Sequence, residues 1–149
     1  MMYKTILVPT DGSPNANHAV EEAIQLAKVF GSTLYIVSIV NDMQYVPYGY
    51  GLTVSGNLLE NLKSRATELL ETAEQSAKEQ NVNVKTVVKS GVPKNLITED
   101  LPKEYHADLI VIGKSGIDAL SRLILGSTTA YVVRHATTPV LVVTDEEEN

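Results

Sequence analysis

The chain has 149 residues, 44% of them hydrophobic and 20% charged, a composition that suits one compact domain with a sizeable core. A formal net charge of −6 argues against general affinity for nucleic acid, and the lack of cysteine excludes disulfides, thiolate catalysis and cysteine metal sites. The N-terminal segment MMYKTILVPTDGS has an apolar run too short for a signal peptide, and runs such as LYIVSIV fall well below a bilayer-spanning length, so a cytoplasmic protein without membrane attachment is expected.

Lys4–Pro9 is a short β-branched run that reads as the first strand. Ser13-Pro14 then opens a helix, because Ser is a good N-cap and Pro fits the first helical position. Ala16, Ala19, Val20, Ala23, Ala27 and Phe30 follow helical spacing, and Gly31 is placed to end the helix. Thr33–Val40 is apolar almost throughout, as strands buried on both faces are. An irregular segment follows, Asn41–Gly56, with Tyr45, Tyr48 and Tyr50 among glycines and a proline; a lid, an interface patch and a plain loop all fit it.

A second helix is expected over Asn57–Gln80, with Leu58, Leu62, Ala66, Leu69, Leu70, Ala73 and Ala77 as its apolar stripe. Asn83–Ser90 is the third strand, Gly91-Val92-Pro93 turns into a short helix carrying Leu96, Ile97 and Leu101, and Ala107–Gly113 is the fourth strand. After a glycine-rich segment come a helix over Ser127–Ala136 and a fifth strand, Thr138–Val143. Residues 1–144 form one domain in this reading, and the acidic tail 145–149 is a solvated end.

Strand–helix alternation with two-sided apolar strands predicts an α/β fold, an open parallel sheet with helices on both faces. Such sheets bind ligands beyond the carboxyl ends of their strands, where the strand order reverses. That directs attention to the turns after the first and fourth strands, PTDGSP and GKSG.

The fourth-strand turn opens the segment VIGKSGIDALSRLILGSTTAYVV, with glycines at Gly113, Gly116 and Gly126 and a hydroxyl at Ser127. Singly, each glycine suits a turn. As a set, they fit an anion site in two pieces: a strand-end turn that lets backbone N–H groups approach a phosphate, and a helix N-terminus capped by Ser127. The intervening IDALSRLIL would loop out and return. Lys114 and Arg122 add positive charge; Arg122 serves either phosphate or Asp118, four residues earlier. Asp11, in Thr-Asp-Gly, suits a ligand contact at a strand terminus and also an ordinary turn.

Several motifs are excluded. No Walker A loop and no dinucleotide fingerprint is present. GKSGI begins like a nucleophile elbow, but Ile117 replaces the last glycine and no histidine has a triad role, which argues against Ser115 as a nucleophile. His18, His106 and His135 lack metal-ligand spacing.

The spacing Gly113-x2-Gly116-x9-Gly126-Ser127 resembles the nucleotide-binding signature of the ATP-binding branch of the universal stress protein family. ILVPTDGS, GVPKNLI and YVVRHATTPVLVV are similar to that family's first strand and turn, third helix start, and closing helix and strand. The resemblance implies a Rossmann-like, adenine nucleotide alpha hydrolase-like sheet of five strands in order 3-2-1-4-5. It also implies ATP between strands one and four, with a divalent cation such as Mg2+ held mainly by the phosphates. By motif position Gly113 and Gly116 would face the ribose and phosphates, with Lys114 and Ser115 between them. Gly126, Ser127 and Thr128 would hold the phosphates, Pro9, Thr10 and Asp11 would line the adenosine side, and Ile39 would meet the adenine edge through its backbone.

In that strand order the apolar Val140, Leu141, Val142 and Val143 lie at a sheet edge, which favours a homodimer joined there over local cover by the tail. A nucleotide-dependent regulatory protein is therefore expected, possessing no evident general base for fast turnover. Two other readings stand beside it: a slow ATPase assisted by Asp11 or Ser127, and a dimeric scaffold with a vestigial pocket. A protein partner is compatible with each.

Overall fold

The computed structural model describes residues 2–42, 56–115 and 125–144. Strands β1 (Thr5–Pro9), β2 (Thr33–Val40), β3 (Asn83–Ser90), β4 (Leu109–Gly113) and β5 (Val140–Val143) pair in parallel as one sheet in the order β3-β2-β1-β4-β5. This is the expected order, and it puts the reversal of strand order at β1 and β4.

Successive side chains of a strand point to opposite faces, and the core divides accordingly. Ile6 and Val8 of β1 join one cluster, together with Ala19, Ala23 and Ile24 of helix α1 (Pro14–Phe30) and Leu70 and Ala77 of helix α2 (Gly56–Glu79). Leu7, between them in sequence, joins the other cluster, with Ile97, Leu101 and Val132. That second face is covered by the segment from Pro93 to Tyr105 and by helix α5 (Ser127–His135). Burying each large aliphatic side chain contributes roughly 1.5–3 kcal/mol. The apolar runs of β1 and β4 are thus explained by cover on both sides.

Local chemistry fixes the element ends. Ser13 caps α1 by accepting from the Ala16 N–H at 3.3 Å, with Pro14 first in the helix. Gly31 ends it in the left-handed region (φ 69°), its N–H on the Ala27 carbonyl. β4 begins at Leu109, two residues later than the apolar run suggests, because His106 closes the preceding helix (φ 55°) and the Asp108 side chain is committed to β1. β5 begins at Val140 because Pro139 has no N–H to donate; its carbonyl still accepts from Ile110 at 2.9 Å.

The short helix expected after β3 is interrupted. It runs as α3 (Pro93–Asn95), a π-helical stretch (Leu96–Asp100) and α4 (Leu101–Tyr105). Pro102 accounts for this. In an α-helix its ring would strike the carbonyl four residues back, at Thr98, and the wider turn, with Leu101 N–H on the Leu96 carbonyl, relieves that clash.

Candidate functional site at the carboxyl ends of β1 and β4

The chain leaves β1 into a tight turn. Thr10 is buried; its N–H donates to the Val37 carbonyl at 2.8 Å and its Oγ1 accepts from Gly12 at 3.2 Å. Asp11 is exposed, and its Oδ1 accepts from the Ser13 N–H at 2.9 Å. Both of its candidate roles are therefore compatible: the turn uses one carboxylate oxygen, and the exposed group still faces outward. Pro9 is the last β1 residue in the ladder, opposite Val37.

β2 runs three residues further, to Val40. Backbone groups alternate sides along a strand, and the Val40 carbonyl accepts from Gly91 beyond β3 at 3.0 Å, while that of Val37 faces β1. By that alternation Ile39 turns its N–H and C=O to the β1 side, past the last rung. The backbone of Ile39 is presented there, while its side chain packs with the second core cluster.

The glycine segment starts where β4 ends. A Cβ on Gly113 would lie 2.8 Å from the carbonyl carbon and oxygen of Asn15 and 3.1 Å from the Ala16 nitrogen. Glycine is required here because the first turn of α1 lies directly on the strand. Two side-chain bonds hold the same point. Thr129 of α5 donates its Oγ1 hydrogen to the Gly113 carbonyl at 2.7 Å, and Asn15 donates from Nδ2 to the Ser115 hydroxyl at 2.7 Å. Asn15, Ser115 and Thr129 are all buried. The expectation of Ser115 as a ligand contact thus meets a hydroxyl already engaged by α1.

Lys114 and Gly126, the two flanks of the glycine segment, are joined. The Gly126 N–H donates to the Lys114 carbonyl at 3.0 Å, and Lys114 N–H donates to the Val143 carbonyl at 2.8 Å. The strand-end turn and the start of α5 are thus hydrogen-bonded neighbours. Gly116, Asp118 and Arg122 lie outside the described residues, as do Tyr45, Tyr48 and Tyr50.

The cap of α5 is one residue earlier than the sequence suggests. Gly126 is extended (φ −61°, ψ 154°) and its carbonyl accepts the first helical bond, from Ala130 at 2.9 Å, so Gly126 is the N-cap and Ser127 the first helical residue. Glycine offers no side chain to the opening N–H groups, which leaves Ser127 and Thr128 at a helix end carrying a positive partial charge of roughly half a unit. Ser127 is exposed and Thr128 half-buried. Among the described residues no group of three or more His, Asp or Glu side chains is gathered to hold a metal ion.

The Universal stress protein family model matches residues 2–144. The chain belongs to the universal stress protein family. A universal stress protein of Methanocaldococcus jannaschii is 38% identical over 145 residues, covering 95% of this chain and 82% of its own. The solved universal stress protein UspA from Lactobacillus plantarum is 30% identical with a TM-score of 0.83, covering 96% of this chain and 99% of its own. A universal stress protein solved in complex with cAMP is 26% identical with a TM-score of 0.70, covering 97% and 98%.

Within this universal stress protein fold, sequence reasoning overlooked two residues, Asn15 and Thr129. The signal existed. Asn15 stands four residues before Ala19, on the stripe that α1 buries, and Thr129 stands three before Val132. A polar residue in register with a buried stripe predicts a specific partner. Asn15 meets that expectation only on its Nδ2 side; its Oδ1 is buried without a hydrogen-bond partner among the described residues.

Proposed function

We propose that this chain binds ATP across the ends of β1 and β4 and acts as a nucleotide-dependent regulatory protein that holds the nucleotide instead of turning it over quickly. The observation that carries the reading is the 3.0 Å bond between Gly126 N–H and Lys114 carbonyl, which joins a strand-end turn to a helix start with no side-chain cap. A helix start with its positive partial charge and the turn that carries Lys114 thus meet at the switch point of the sheet. The cAMP complex of a family member, 26% identical, supports an adenine nucleotide as the ligand class.

In this reading the Ile39 backbone meets adenine, Pro9, Thr10 and Asp11 line the adenosine side, and Gly113 and Gly116 shape the turn beneath the ribose and first phosphate. Gly126, Ser127 and Thr128 receive the outer phosphates, with Lys114 and Arg122 supplying charge. Mg2+ enters with the phosphates, which provide most of its oxygen ligands. Leu141 is 37% exposed on the edge strand β5, and a second copy paired along Val140–Val143 would cover it. The protein is assigned to the cytoplasm.

The test is to denature freshly purified protein, identify any released small molecule by mass spectrometry, and titrate the emptied protein with ATP, AMP and cAMP. ATP released, or ATP bound most tightly, is the expected result. Tighter binding of cAMP or AMP replaces the ligand, and no binding of any of the three overturns the reading. Multiple turnover at roughly 1 per second or faster overturns the regulatory part.

A further inference from the structure

The pair Asn15–Ser115 joins residues 100 positions apart, in the interior, at the point where the chain leaves β4. Three features make it more than packing. First, the Asn15 backbone lies against Gly113, so the same residue fixes the strand end through main chain and side chain. Second, Asn15 leaves one of its own hydrogen-bonding atoms unused: Oδ1 is buried and has no partner among the described residues, where an apolar side chain would leave no polar atom unsatisfied. Third, the direction of the bond matters. A hydroxyl that accepts from Nδ2 keeps its own hydrogen to donate, and a negatively charged oxygen is the partner that favours a donor most.

We propose that Asn15 is a positioning residue for phosphate recognition: it holds Ser115 as an acceptor, and with it the Gly113–Ser115 turn, in the orientation that presents the Ser115 hydroxyl hydrogen to a phosphate. The proposal rests on the nucleotide reading above for its ligand, and on the Asn15–Ser115 contact alone for the order it imposes on the turn. An acceptor-only side chain at position 15 would reverse the bond, draw the hydroxyl hydrogen inward and add negative charge beside the phosphates. That separates Asn15→Asp from Asn15→Ala in sign as well as size.

The experiment measures ATP and adenosine affinity by calorimetry for the wild type, Asn15→Ala, Asn15→Asp, Ser115→Ala and the double alanine variant. Asn15→Ala is expected to weaken ATP about tenfold and adenosine less than about twofold, the size of one hydrogen bond to a charged group. Asn15→Asp should weaken ATP further. The double variant should bind ATP no worse than the weaker single, because both substitutions remove one interaction. Equal loss for ATP and adenosine, or additive losses, would mean that the pair only supports the fold and would overturn the proposal. Should Asn15→Ala fail to fold, Ser115→Ala reads the same contact from the other side.

If the wild type binds neither ligand, the nucleotide reading falls by itself, and amide exchange in the unliganded protein decides the positioning role. The Lys114 and Gly126 amides, both hydrogen-bonded, should exchange faster in Asn15→Ala while those of β1 do not. Unchanged exchange at Lys114 and Gly126 would overturn it.

Discussion

The two ends of the sheet use the same chemistry to opposite effect. At the amino end, the Asp108 carboxylate accepts from both Lys4 N–H (3.0 Å) and Thr5 N–H (3.1 Å), while Asp108 N–H returns a bond to the Thr5 carbonyl at 2.9 Å. Thr33 N–H donates to the Lys4 carbonyl at 2.9 Å, and the Ser32 hydroxyl donates to the Tyr3 carbonyl. These bonds are mutual. At the carboxyl end, α5 opens on a glycine without a side-chain cap, and the buried Oδ1 atoms of Asn15 and Asn41 have no hydrogen-bond partner among the described residues. Helices of a parallel α/β sheet begin at this end, so their positive partial charges gather there. One end commits its polar groups to the fold; the other leaves the opening N–H groups of α5 as donors for a ligand.

The strongest test of that division is Gly113→Val, which joins the two accounts. Its Cβ would come within 2.8 Å of Asn15 backbone atoms, so α1 must shift. Stability should fall by about 3 kcal/mol or more, read as a lower urea midpoint, and nucleotide affinity should fall with it. Gly126→Val should separate the two. The φ and ψ of Gly126 suit any residue, and its carbonyl bond to Ala130 is unaffected. ATP affinity should drop about a hundredfold, roughly 2.7 kcal/mol, with a much smaller change in urea midpoint, about 1 kcal/mol for a poor N-cap. A stability loss matching that of Gly113→Val would show that the α5 start is built for the fold and not for an anion.

How far the sequence carries this division depends on which residues one asks about. The parallel sheet with helices on both faces is legible in the apolar runs and alternating helices, since two-sided burial leaves few other solutions for such a pattern, while the strand order rests on the family resemblance. Two of the three glycines, Gly113 and Gly126, lie at the β4 end and the α5 start, which the Gly126–Lys114 bond joins, but the reason for one of them is hidden from the sequence: Gly113 is small because α1 crosses it, a tertiary contact that local spacing does not record. Ser127 looked like the α5 cap because serine favours that position, yet Gly126 takes it. Propensity ranks cap residues, and the return of the chain to the Lys114 carbonyl decides which residue becomes extended. Asn15 was legible only as a polar residue on a buried stripe; its partner is 100 residues away.

Asp108→Ala is the counterpart at the amino end. It removes a carboxylate that receives two backbone N–H groups, and stability should fall by about 2 kcal/mol. ATP affinity measured well below the unfolding midpoint should equal that of the wild type. A drop in affinity there would mean that the two ends communicate through β1 and β4, and the division would fail.

The smallest expected effect sharpens the comparison most, because it lies at the site end but belongs to the other class. Lys89 stands opposite Ile39 in the β2–β3 ladder, yet its ammonium is engaged, 3.2 Å from Glu104 Oε2 and 3.3 Å from Oε1. It also lies 5.9 Å from the centre of the Tyr105 ring, which stacks on Tyr35 at 4.2 Å. The hydrogen bond to Glu104 raises the Lys89 pKa above 10.5, and burial, with a smaller push from Glu104, raises that of Tyr105 above 10.0. Both shifts mean that the folded chain holds its proton longer. The stabilisation they report is therefore complete below those ordinary values and fades as pH rises through the raised ones. Glu104→Gln removes the ion pair, and because the pair is solvent-exposed the loss at neutral pH should be under about 0.5 kcal/mol. The gap between variant and wild type in urea midpoint should narrow above about pH 10.5. ATP affinity should not change at any of these pH values. If it does, nearness to the carboxyl end, and not an uncommitted donor, is what makes a polar group part of the site.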